Sequence, residues 1–138
     1  MKPKILLRIA AVLMLLHSMG HTMGALNWKT PPNAAVGQVI SGMETTHFEF
    51  MGRQASLALF FDGYGAITLL VLLLMIALLW LLSNQTENPL TARLLTLLTL
   101  FLLLMAVAEY LYFFPLAAVL TFLAGICGLA ASMRIRKN

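Results

Sequence analysis

Apolar residues in this chain fall into four long runs, separated by short polar breaks and one longer mixed stretch. A helix needs about 20 such residues to cross a hydrocarbon core, so each run is long enough for one span. The first covers residues 5–26, with Arg8 near its start and the stretch LLHSMGHTMGAL, 15–26, in its second half. The second covers about 57–82, because the apolar residues 55–61 extend the run 63–82 and carry Asp62 onto the helix. The polar break SNQTENP, 83–89, leads through Pro89 into the third span at about 92–114. Pro115 then separates it from the fourth, 116–133. The pattern predicts an all-α fold: a membrane four-helix bundle forming one integral domain over residues 1–138.

Between the first two spans, residues 27–56 form the only extramembrane segment of any size. Pro31-Pro32-Asn33 ends one helix and opens another. Val36, Val39, Ile40 and Met43 then recur at helical spacing, which predicts a short amphipathic outer helix. We expect it to pack as a lid on the bundle. Arg53 is a charge partner available to Asp62 or Glu49.

Composition strengthens the membrane reading. The chain is 61% hydrophobic and 10% charged, against about a quarter charged in soluble domains. The net charge of +4 does not point to nucleic acid, because the cations sit at span ends and form no stripe with interleaved aromatics. They orient the chain instead. With the N-terminus inside, Lys2, Lys4, Arg8, Arg93, Arg134, Arg136 and Lys137 lie on the inner side, and only Lys29 and Arg53 outside. Such a bias predicts a multi-pass membrane protein with both termini cytoplasmic. Trp28 and Trp80 then fall at opposite faces, and Tyr110 and Tyr112 near the outer one. A signal peptide competes for the first run, since MKPK is a basic start and residues 22–24 resemble a cleavage site. Arg8 and two histidines interrupt its apolar region, so we expect an uncleaved span.

Ionisable groups within spans are costly and raise a functional hypothesis by default. Here they are His17, His21 and Glu109. Positions 17, 20, 21 and 24 neighbour one another on a helix, giving a stripe of His17, Gly20, His21 and Gly24. The glycines would let another helix approach. His21 and Glu109 each lie five residues below the outer end of their runs, roughly 7 to 8 Å beneath the interface. We therefore expect a polar cluster of His17, His21 and Glu109 in the outer half, with His21 level with Glu109 and with Asp62 and Tyr64 capping the same end. Gly63 and Gly65 permit close approach there. The fourth span carries a second packing stripe, including Thr121, Gly125 and Gly128. Thr96 and Thr99 are expected to bond back to their own helix.

Two histidines at i, i+4 make His17 and His21 candidate metal ligands, with Glu109 or His47 as a third. The motif lacks the intervening glutamate of a metalloprotease helix. Haem fits poorly, since adjacent histidines on one helix cannot take both axial positions. The nine methionines are scattered and read as core filler. Cys127, the single cysteine, reads as a small buried hydrophobe. With no nucleophile constellation, phosphate loop or dinucleotide fingerprint, an enzyme is not expected and no cofactor is named. Transport would call for broken helices or an internal repeat, and neither is visible.

LLHSMGHTMGAL, FFDGYG at 60–65 and EYLYFFP at 109–115 resemble stretches of small bacterial four-helix membrane proteins with a His-x-x-x-His first helix and no assigned activity. That resemblance implies a four-span inner-membrane protein and carries over no catalytic residue. The expected function is an accessory or structural bundle whose partners are membrane lipids and a second copy or another membrane protein. The alternative is a binder of a metal, a quinone or another small apolar ligand at the polar cluster.

Overall fold

In a computed structural model, residues 2–136 are described; Lys137, counted above among the inner cations, lies outside them. The order of elements is α1 (Pro3–Asn27), α2 (Ala34–Thr45), β1 (Phe48–Phe50), β2 (Arg53–Ala55), α3 (Leu57–Ser83), α4 (Pro89–Tyr112) and α5 (Pro115–Ile135). The four long helices are α1, α3, α4 and α5, and all are apolar and long enough to cross a membrane. The chain is an all-α, four-helix, multi-pass membrane protein. It divides into two compact units: residues up to Gly20 together with those from Val71 onward, and His21–Leu70.

In the first unit four helices share one core. Leu7 and Met14 of α1, Leu72 and Leu79 of α3, and Leu95 and Leu102 of α4 are fully buried with Ala124 and Ala131 of α5. Each helix supplies this core at a spacing of seven, the repeat that keeps a narrow seam facing its neighbours. Leu97, Leu104 and Leu111 repeat at the same interval on the exposed side of α4. They stay leucine because the solvent expected there is lipid. Arg8 is accommodated by laying its guanidinium over the Trp80 ring, 4.9 Å from the centroid.

The α3–α4 connection is tight because its polar residues bond locally. Asn88 caps α4, accepting from the Leu90 amide at 2.9 Å, and the Thr91 hydroxyl donates to the Gln85 carbonyl at 2.6 Å. The third span stops at Tyr112, two residues short of its apolar run. Phe114 precedes Pro115 and is held extended (ψ 151°), as proline requires of its predecessor. The Phe113 amide closes the last turn on the Glu109 carbonyl at 2.9 Å. The resulting break folds α4 and α5 into an antiparallel hairpin.

The second unit holds the last turns of α1, the segment between α1 and α3, and the start of α3. Asn33 caps α2 by accepting from the Val36 amide at 3.0 Å. Of the expected apolar stripe only Ile40 is buried, while Val36 and Val39 are exposed, so α2 does not bury the whole face a lid would. A β-hairpin follows α2, an element the apolar pattern does not predict. β1 and β2 pair antiparallel, Phe48 with Ala55 and Phe50 with Arg53. Met51 and Gly52 turn the chain with φ of 52° and 78°, the backbone of a two-residue hairpin loop. Phe48 and Phe50 share one side and both meet Phe60, at 6.0 and 5.6 Å between centroids. The signal was present in the alternation F-E-F followed by a glycine. Gly52→Val forces a β-branched residue to positive φ, at a cost of roughly 1–3 kcal/mol. It is expected to speed tryptic cleavage after Arg53 while leaving the helical content unchanged by circular dichroism.

Candidate functional site

Three helices of the first unit each contribute one buried polar side chain to a single node. His17 of α1, Glu109 of α4 and Thr121 of α5 are 6%, 7% and 0% exposed. Each sits on an inward line: Glu109 is seven residues beyond Leu102, and His17 is seven beyond the buried Ala10. Thr121 is level with Glu109 because of the α4–α5 hairpin. Positions about equally far from the break face each other, as Leu103 faces Gly125 and Thr96 faces Ser132.

His17 Nδ1 is 2.9 Å from Thr121 Oγ1, and His17 Nε2 is 3.6 Å from Glu109 Oε1. The imidazole thus lies between a hydroxyl of α5 and a carboxyl of α4, so that His17 joins α1 to both helices. Glu109 Oε2 is buried and has no hydrogen-bond partner among the described residues.

Depth matching paired Glu109 with His21, but the partner in the structure is His17. Ten residues of α1 follow His17, whereas three of α4 follow Glu109. Counting inward from the ends of apolar runs assumed helices of equal reach. His21 belongs to the second unit, where its Nε2–H donates to the Gly65 carbonyl at 2.9 Å. Ala25 packs against the same glycine, 3.6 Å from where a Cβ would stand.

Asp62 also lies in the second unit, in a surface network. Trp28 Nε1–H donates to it at 2.7 Å, and Lys29 Nζ bridges Asp62 at 3.2 Å and Glu44 at 3.3 Å. Lys29 takes the role expected of Arg53. Asp62 first, then Glu44, holds the Lys29 pKa above the usual lysine range. That contribution is complete below the ordinary value of 10.5 and fades only as pH rises past the raised one. Tyr64 is 70% exposed and joins neither group. His47 donates from Nδ1 to the Thr45 carbonyl at 2.9 Å. Among the described residues no three His, Cys, Asp or Glu side chains converge as metal ligands.

The glycine stripes separate in the same way. A Cβ on Gly128 would lie 2.6 Å from Thr99 Oγ1, and one on Gly125 2.8 Å from Leu103 Cδ2, so both let α4 and α5 approach. Around Gly20 and Gly24 nothing lies within 4 Å of an added Cβ. The buried line of α1 runs through Met14, His17 and Ser18, leaving those two glycines on its flank. Thr96 bonds back to the Ala92 carbonyl at 2.8 Å as expected, whereas the buried Thr99 hydroxyl has no hydrogen-bond partner among the described residues. Thr121, Trp28, Lys29 and Glu44 were missed as site residues. Only Thr121 had a sequence signal, its mirror position to Glu109 across the 113–115 break.

Comparison with protein-family models, with curated proteins and with solved structures finds no match. The class of the protein therefore rests on its own four apolar helices and its buried polar node.

Proposed function

We propose that this is an accessory or structural protein of the bacterial inner membrane, with both termini cytoplasmic. In this reading the His17–Thr121–Glu109 node specifies how α1, α4 and α5 pack. The supporting observation is the direct contact of three buried polar groups from three helices. Interhelical hydrogen bonds in apolar surroundings are worth about 0.6–2 kcal/mol each, and misalignment leaves them unpaired. Such a node selects one register among many that leucine packing alone would tolerate. Orientation rests on the seven inner and two outer cations. Cysteines introduced singly at Thr30 and Asn84, with Cys127 replaced by alanine, test it in intact cells. A membrane-impermeant maleimide is expected to label Thr30→Cys and not Asn84→Cys; the reverse pattern refutes the orientation.

The unpartnered Oε2 of Glu109 favours a second reading, in which the node holds a small apolar ligand with a hydrogen-bond donor, such as a quinol. Purified wild-type and Glu109→Gln proteins are compared by absorption spectrum and by analysis of the organic extract. A structural node predicts the same lipid-only extract from both and a lower melting temperature for the variant. A quinone that co-purifies stoichiometrically with wild type and is lost from Glu109→Gln would replace the structural reading.

A further inference from the structure

At the end of the first unit that carries the chain's beginning, the α3–α4 connection and the end of α5, the surface opens into a cleft of about 980 Å³. Among the described residues four cations line it: Lys2 and Lys4 from the start of the chain, Arg93 from α4 and Arg136 after α5. Among the described residues Glu87 is the one carboxylate in the lining. Lys2, Lys4 and Arg93 face the cleft, and none of the three is in an ion pair with a carboxylate among the described residues. Arg136 is steadied from behind, its Nη2 donating to Thr96 Oγ1 at 2.8 Å.

Four cations against one carboxylate make a site for an anion, and its other walls say which kind. Pro3, Ala92 and Ile135 add apolar surface to the lining. A free phosphate has no use for that surface, whereas a glycerophospholipid places its glycerol and first acyl carbons there. The cleft also lies level with the ends of the spanning helices, the height of a headgroup. Basic pockets between helix ends are a recurrent means of holding anionic headgroups. We propose that this cleft binds the phosphate-bearing headgroup of an anionic phospholipid, with charge for a lipid carrying two phosphates.

The test uses the full chain in a zwitterionic detergent, titrated with cardiolipin, phosphatidylglycerol or phosphatidylcholine and read by native mass spectrometry. Cardiolipin is expected to bind at least about tenfold more tightly than phosphatidylcholine, with phosphatidylglycerol between them. Each lysine or arginine near an anionic surface contributes about 1 kcal/mol, so Lys4→Gln with Arg93→Gln is expected to weaken cardiolipin roughly 30-fold. Both side chains are exposed, so the variant should fold, and an unchanged melting temperature without lipid verifies this. Glu87→Gln is expected to tighten binding, and Arg53→Gln, in the other unit, to leave it unchanged. Equal affinity for phosphatidylcholine overturns the proposal, as does a double variant that binds like wild type. Inorganic phosphate displacing cardiolipin at millimolar concentration would assign the cleft to a free anion and overturn the lipid source.

Discussion

Replacing Glu109 by leucine is expected to lower the stability of the detergent-solubilised protein by about 2 kcal/mol, and replacing His17 by leucine as well is expected to restore most of that loss. The pair interaction alone does not account for the cost of the first change, since interhelical hydrogen bonds in membranes average only about 0.6 kcal/mol. The larger part, roughly 1–3 kcal/mol, comes from leaving the buried His17 Nε2 facing a side chain that cannot bond it. His17→Leu does the converse, leaving the buried Glu109 carboxyl without the imidazole beside it. In the double variant no buried ionisable group remains, and Thr121 is free to turn back to its own helix. We expect that protein to lie within about 1 kcal/mol of wild type, because an apolar pair of similar shape replaces a paired polar one at little cost. Cys127, the single cysteine and half-buried beside the core, provides the readout, since a thiol-reactive dye reaches it as the bundle opens on heating. Strictly additive losses in the two single variants and the double would remove the node from the account of packing.

Gly128→Leu is expected to be the most damaging single change on the packing surfaces, at about 3 kcal/mol, the upper part of the overpacking range. Its Cβ alone would stand 2.6 Å from Thr99 Oγ1 and 3.8 Å from Leu95 Cδ1, so the rest of a leucine must push α4 and α5 apart. The same substitution at Gly20 meets open space and should stabilise by about 0.5–1 kcal/mol, because leucine is a better helix former than glycine. Thermal unfolding followed by circular dichroism measures both. Gly128→Ala with Thr99→Ala supplies the internal check: removing the hydroxyl clears the space the new methyl needs, and the pair should melt above Gly128→Ala alone. Equal losses at Gly20 and Gly128 would mean that the first helix also packs through its glycines.

These two results separate what the chain announces from what packing settles. Span number, approximate span limits, the short helix between the first two spans and the placement of Asp62 on α3 follow from apolar run length and helical spacing. These features depend only on neighbours within one helix. The hairpin at 48–55 was legible in principle from F-E-F and Gly52, but two strands of three residues leave too short a pattern beside a 27-residue apolar helix.

The node is a mixed case. Buried ionisable groups at 17 and 109 were evident, since no charge-bearing residue is placed in a span without consequence. Which histidine meets Glu109 was not. That choice depends on how far each helix extends beyond the contact, and a residue count from the ends of apolar runs cannot supply it.

The glycines make the same point more sharply. Gly20-x-x-x-Gly24 and Gly125-x-x-Gly128 look equally like packing stripes, yet only the second has a helix against it. By itself the sequence determined the solvent of this protein, the number of its spans and the residues too polar to face lipid. Tertiary structure decided their partners, because a helix repeats its faces every seven residues and only the packing of one helix on another selects which face is used.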